Sequence, residues 1–226
     1  MHEYNPKLAP AMDLNDYFSN NEFQVLDIGS IQLTSGKLVA GDPLGFLPYS
    51  ETIAFKQTFP TGRYPVSLSV FHSEEYGDRY LAAKLTITKE KPVQFQLALK
   101  GKERAADLKE GEFFGIWVTT GLAALCDAKT QQQLCRFADT WHKQHPNGNL
   151  YDDYFAGLFE ESYQKHPKFQ RPGGDWAYWS DSQGGDMLMF NSGFGDGVYP
   201  CYLGYDKNGK LCCAILQFIS PAELEE

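Results

Sequence analysis

The sequence has no C-x-x-C pair, no H-E-x-x-H, no G-K-[ST] phosphate loop and no EF-hand spacing among its acidic residues. Those absences remove the motifs on which zinc, nucleotide and calcium sites are usually built. No apolar run reaches the ~18 residues that a bilayer span needs. The opening MHEYNPKLAP has neither a basic stretch nor an apolar one, so no secretory signal is expected. Basic excess is lacking too. The formal charge is −9, which repels phosphate backbones and argues against nucleic acid. Cysteine is sparse and odd in number: Cys126, Cys135, Cys201, Cys212 and Cys213. The last two are neighbours whose side chains diverge on a strand. A disulfide framework is therefore not expected, and reduced thiols in a cytoplasm are.

What is present is a core-forming chain. Its 226 residues are 42% hydrophobic and 15% aromatic, enough for one large β-rich domain or two small ones. Residues 1–23 read as a polar lead-in, with a short helix at 13–18. From Gln24 the pattern is strand-like. Ile28, Ile31 and Leu33, then Ser35-Gly36, then 38–40 predict a hairpin. Segments 64–71, 80–88 and 93–99 alternate apolar and polar residues and predict a three-stranded meander. Residues 113–118 predict a further strand. The period then changes. Asp127 is a good N-cap for a helix over 128–145, with Leu134, Phe137, Ala138 and Trp141 on one face. A second helix is expected over 151–166, stopped by Pro167. Strands return at 175–180, 187–191, 199–205 and 211–218, the last two around Asn208-Gly209. The expected class is α+β: mostly antiparallel β, a sandwich or strongly bent sheets. A helix pair is inserted at about 127–167 into one domain over 24–226.

Two segments share a frame, F-x-x-G-x-Y-P-x-x-L, at 59–68 and 194–203. Gly62 and Gly197 suit turns with positive φ. Pro65 and Pro200 suit strand starts or edges. The second copy carries an extra acid, Asp196.

Residues 29–43, 62–66 (GRYPV), 109–115 (KEGEFFG) and 195–209 (GDGVYPCYLGYDKNG) resemble a largely bacterial family of unknown function, DUF4241. The resemblance runs from about Gln24 to Phe218. It implies no established activity. Leu203 stands where family members often have Trp, and Gln217 where Asp is common.

The densest polar cluster is Asp175, Asp181, Asp186, Asn191, Asp196 and Asp206, set among glycines. Asp196 and Asp42 are the candidate catalytic pair for acid–base work, with or without a divalent cation. Cys135, His142 and His145 lack zinc spacing, and Cys201 with His72 is a weaker nucleophile pair. Trp176, Trp179, Tyr199 and Tyr205, with Asp196, are the candidate binding residues, because Trp and Tyr dominate recognition hot spots. No cofactor, resident metal or membrane is expected. The expectation is a non-enzymatic cytoplasmic module for a protein partner with a basic surface, immunity-like in one form. The alternative is a hydrolase-like enzyme using Asp42 and Asp196.

Overall fold

A computed structural model describes residues 5–49, 53–75 and 77–224. The first four residues of the lead-in lie outside that range. The strands are β1 (Gln24–Leu33), β2 (Leu38–Gly41), β3 (Gly62–Ser73), β4 (Gly77–Thr86), β5 (Gln94–Leu97), β6 (Ile116–Val118), β7 (Leu122–Asp127), β8 (Trp176–Ser180), β9 (Asp186–Asn191), β10 (Gly197–Tyr199), β11 (Cys201–Tyr205) and β12 (Leu211–Gln217). The α-helices are α1 (Asp16–Ser19), α2 (Ala128–Gln144) and α3 (Ala156–Lys165), the last entered through a π-helical turn at Tyr151–Phe155.

The strands form three antiparallel sheets. A six-stranded sheet has the order β1-β3-β4-β12-β11-β5, a four-stranded sheet the order β2-β7-β9-β8, and β10 and β6 make a two-stranded ribbon. The fold is α+β, as expected, and the four-stranded sheet is its middle layer. Period-2 alternation sorts its side chains. Leu38, Ala40, Ala123, Leu125, Leu188 and Phe190 face the six-stranded sheet. Val39, Ala124, Cys126, Ala177, Trp179 and Met189 join a second core under α2 and α3.

Several local expectations hold. Asp127 caps α2, accepting from Lys129 N at 2.8 Å. The same carboxylate accepts the Ser35 N–H at 2.8 Å and the Ser35 hydroxyl at 2.7 Å. Asn208-Gly209 turns β11 into β12, with Gly209 at φ 72°.

Three expectations are corrected. β1 and β2 are not a hairpin: β1 pairs with β3 and β2 with β7. Gly36, at φ 67°, carries the chain from one sheet to the other. β3, β4 and β5 are not a meander, because β12 and β11 stand between β4 and β5. Gly62 and Gly197 do not take positive φ. Each lies under the ring of the tyrosine two residues on: a Cβ at Gly62 would come within 2.9 Å of the Tyr64 hydroxyl, and one at Gly197 within 3.0 Å of the Tyr199 ring. In both copies the tyrosine hydroxyl donates to the carbonyl four residues back, Pro60 at 2.9 Å and Gly195 at 2.7 Å. The shared frame is thus one local device used twice.

The lead-in covers the outer face of the six-stranded sheet. Tyr17 is buried, donates its hydroxyl to Ile219 O at 2.8 Å and accepts from Gln217 Nε2 at 2.8 Å.

Candidate functional site

The two candidate carboxylates meet at one turn. Asp42 follows β2 and is 0% exposed. Its Oδ1 accepts from Leu44 N at 2.8 Å, Gly45 N at 2.7 Å and the Thr120 hydroxyl at 2.8 Å. Its Oδ2 accepts from Thr119 N at 2.9 Å and the Thr119 hydroxyl at 3.3 Å. Asp196, exposed ahead of β10, accepts from Gly121 N at 2.9 Å through Oδ1. Both carboxylates therefore grip the 119–121 turn that links β6 to β7, Asp42 at residues 119 and 120 and Asp196 at Gly121. Asp42 has no lone pair left for proton transfer, whereas Asp196 keeps Oδ2 unbonded among the described residues.

Thr120, Gly121, Gly193 and Gly195 form one wall of a cavity of about 320 Å³. The opposite wall is built from Arg171, Asp175 and Asn191, with Tyr80 and Arg79 from β4. Asp175 is buried. Its Oδ1 accepts from Arg171 Nε at 2.9 Å and Nη2 at 2.6 Å, and from Asn191 Nδ2. The buried Gln170 amide stiffens this wall. Its Oε1 accepts from Asp175 N and Trp176 N, and its Nε2 donates to His166 O and Ser162 Oγ. Tyr80 donates to Phe169 O at 2.8 Å, and Phe169 has the left-handed φ of 58°. A non-glycine residue held there stores local strain, which persists only where the surroundings over-determine it. Burial, and then the Asp175 charge, drives the Tyr80 hydroxyl well above the ordinary phenol range. The cavity thus offers guanidinium donors and carboxylate acceptors on rigid walls. Its hydroxyls already donate elsewhere: Tyr80 to Phe169 O, and Thr120 to the Asp42 carboxylate, whose two oxygens are both filled by other donors as well.

The family model described as "Protein of unknown function (DUF4241)" matches residues 31–216. The chain belongs to the DUF4241 family. No curated protein and no solved structure matches it. The region of this DUF4241 chain that the family model covers takes in Asp42, the 119–121 turn, both cavity walls and the ribbon.

The four aromatic candidates of the DUF4241 chain lie inside. Trp179, 1% exposed, packs against Phe137 on the helix side, with centroids 5.6 Å apart. Trp176 is buried on the other face, stacked with His166 at 5.5 Å. Tyr199 is buried, with its hydroxyl shared between Gly195 O and Ser192 O. Tyr205 is buried and reaches Gln57 Oε1 at 3.3 Å. Trp176 and Trp179 border a second cleft, of about 540 Å³, which neither Asp42 nor Asp196 lines. Among the described residues no group of three or more His, Cys, Asp or Glu could hold a metal ion. Burial drives the Cys201 thiol well up.

The sequence reading missed Arg171, Arg79 and Tyr80 on the cavity, and Trp117 outside it. Trp117 is 66% exposed on β6, directly opposite Val198 of β10. Phe194 and Phe113 are also exposed, at opposite ends of the ribbon. In the sequence Trp117 sits in the apolar run FFGIWV, which gives no sign of which side chain is left outside.

Proposed function

We propose that this DUF4241 chain is a non-enzymatic binding module that meets a partner with a basic surface along the β6–β10 ribbon. The observation that carries the reading is Trp117, 66% exposed and paired across the ribbon with Val198, with the half-used Asp196 carboxylate one residue before β10. An exposed indole offers large contact area at low entropic cost, the profile of a hot spot. The net charge of −9 would steer a basic partner towards it. Cytoplasmic neutralisation of a basic toxin is one form of this function. The five cysteines form no disulfide among the described residues and four of them are buried, which suits a reducing compartment. The hydrolase-like alternative has less behind it, because Asp42 is sealed from substrate with both oxygens occupied.

The test places a photo-cross-linking residue at position 198, directly opposite Trp117, in the native host and identifies the adduct. Trp117→Ala and Asp196→Lys should each abolish capture of that protein while stability stays within about 1 kcal/mol. A partner retained by both variants would overturn the reading, as would an adduct protein without a basic surface.

A further inference from the structure

β8 is an outer strand of the four-stranded sheet, and its register fixes where its backbone groups point. Asp175 and Asp181, just beyond its ends, bond to the β9 side: Asn191 N reaches Asp175 O at 2.9 Å, and Asp181 N reaches Gly185 O at 3.0 Å. Ala177 and Trp179 are in phase with them and bond to β9. Trp176, Tyr178 and Ser180 therefore turn their N–H and C=O groups outwards. The Trp176 N–H confirms the phase by bonding to Gln170 Oε1. The Tyr178 amide groups and the Ser180 N–H find no partner among the described residues.

The second cleft opens on this edge. One jaw is the face of α3 that carries Leu158, Glu161, Ser162 and Lys165, and the other is the Ile28–Ser30 stretch of β1. β1 is also an outer strand, but it is guarded. Asp186 takes the Gln32 N–H at 2.8 Å, Arg63 covers Ser30 O at 3.1 Å, and a bulge lies at Asp27/Gly29. Beyond the Trp176 rung, β8 has no such guard. Three buried side-chain polar atoms among the described residues lack a partner. Two of them, the indole N–H groups of Trp176 and Trp179, belong to residues that border this cleft. The rim carries Arg63, Lys165 and His166 against Glu161, with Lys165 also paired to Glu161 and Arg63 to Asp186 at 2.7 Å.

We propose that this cleft takes an extended peptide that adds to the β8 edge as a further strand. Its alternate apolar side chains would pack between the α3 and β1 jaws, and an acidic residue would meet Lys165 and His166. Main-chain bonds to Tyr178 and Ser180 would supply affinity, and the jaws specificity. This surface is separate from the ribbon, so either reading can fail alone.

The experiment selects phage-displayed random heptapeptides on the full chain and measures labelled hits by fluorescence polarisation. Enriched peptides should alternate Val, Ile or aromatic residues and carry Asp or Glu. Ser180→Pro deletes an outward N–H without removing a β9 ladder bond. It should weaken binding at least tenfold, while Ser180→Ala binds as the parent does. In the parent chain, hydrogen exchange at the Tyr178 and Ser180 amides should be fast when free and slow with peptide bound, a readout that stands even if the proline variant fails to fold. Three results would overturn the proposal: no enrichment, peptides that leave both amides unprotected, or a sedimenting dimer split by Ser180→Pro. The last would assign the edge to a second copy of the chain.

Discussion

Removing the Asp42 carboxylate should damage the fold far more than removing that of Asp196. In Asp42→Ala, the N–H groups of Leu44, Gly45 and Thr119 and the hydroxyls of Thr119 and Thr120 lose their acceptor. A hydrogen bond to a charged group contributes about 1.5–3 kcal/mol, and an orphaned buried donor costs about as much. The five losses are not additive, because one water admitted to the vacated space re-satisfies part of the set. The net expectation is about 4 kcal/mol, a large share of the roughly 5–15 kcal/mol that holds a domain together. Asp42→Asn should recover little, because its amide sets a donor where at least one N–H now points at an oxygen. Asp196→Ala loses one exposed bond, about 1 kcal/mol or less. Urea denaturation followed by tryptophan fluorescence measures the difference. With a slope near 2 kcal/mol/M, Asp42→Ala should lower the midpoint by about 2 M and Asp196→Ala by about half a molar at most. Equal midpoint shifts would refute the clamp, as would an Asp42→Ala chain as stable as its parent.

Arg171→Ala should destabilise by about 2 kcal/mol, since it leaves the buried Asp175 carboxylate with only Asn191 and the residue 171 backbone N–H as donors. Adding Asp175→Asn to it should recover part of that loss, and strictly additive costs in the double-mutant cycle would show that the pair is not coupled. Gly197→Ala and Gly62→Ala should each cost about 1–3 kcal/mol by crowding the overlying tyrosine ring, which thermal unfolding reads directly. Burial pushes Tyr202 and Tyr205 up to about 12 from the ordinary 10.0. The folded state therefore holds these protons more tightly, so stability is intact below pH 10 and falls between pH 10 and 12. Ultraviolet titration should show at least four phenols, these two with Tyr17 and Tyr80, ionising late or together with unfolding, and all tyrosines ionising near pH 10 in a folded chain would contradict their burial.

Elements with local signatures were the legible ones. Asp127 announced the start of α2, Asn208-Gly209 the β11–β12 hairpin, and alternation the strands from β3 to β5. What failed was partner choice, because alternation says which face a strand buries and nothing about which strand lies beside it. β7 went unread for a different reason. LAALCD is buried on both faces, so it shows no alternation, and its Ala and Leu residues have no strand preference. At the site, the Gly-rich segment 193–197 stood out in the sequence only as the second copy of the shared frame, with its extra acid Asp196. That Asp42 and Asp196 meet at one turn is visible only in the structure, because it depends on Thr119, Thr120 and Gly121, residues that carry no motif. Arg171 and Asp175 stand four apart outside any helix, so their pairing had no periodic signature. In β8 both tryptophans are buried, one in each core, while Tyr178 on the Trp176 face is 41% exposed at the sheet edge.

The position of β12 has a consequence for synthesis. It lies between β4 and β11, so residues 211–217 must slot beside residues 77–86, which leave the ribosome much earlier. Until then β4 exposes a bare hydrogen-bonding edge next to Leu81, Ala83 and Leu85, and Tyr17 awaits its bond to Ile219. Such long-range closure makes folding slow. A nascent chain stalled before residue 211 should be protease-sensitive and prone to self-association, and a substitution in β12 would lower abundance by delaying this closure.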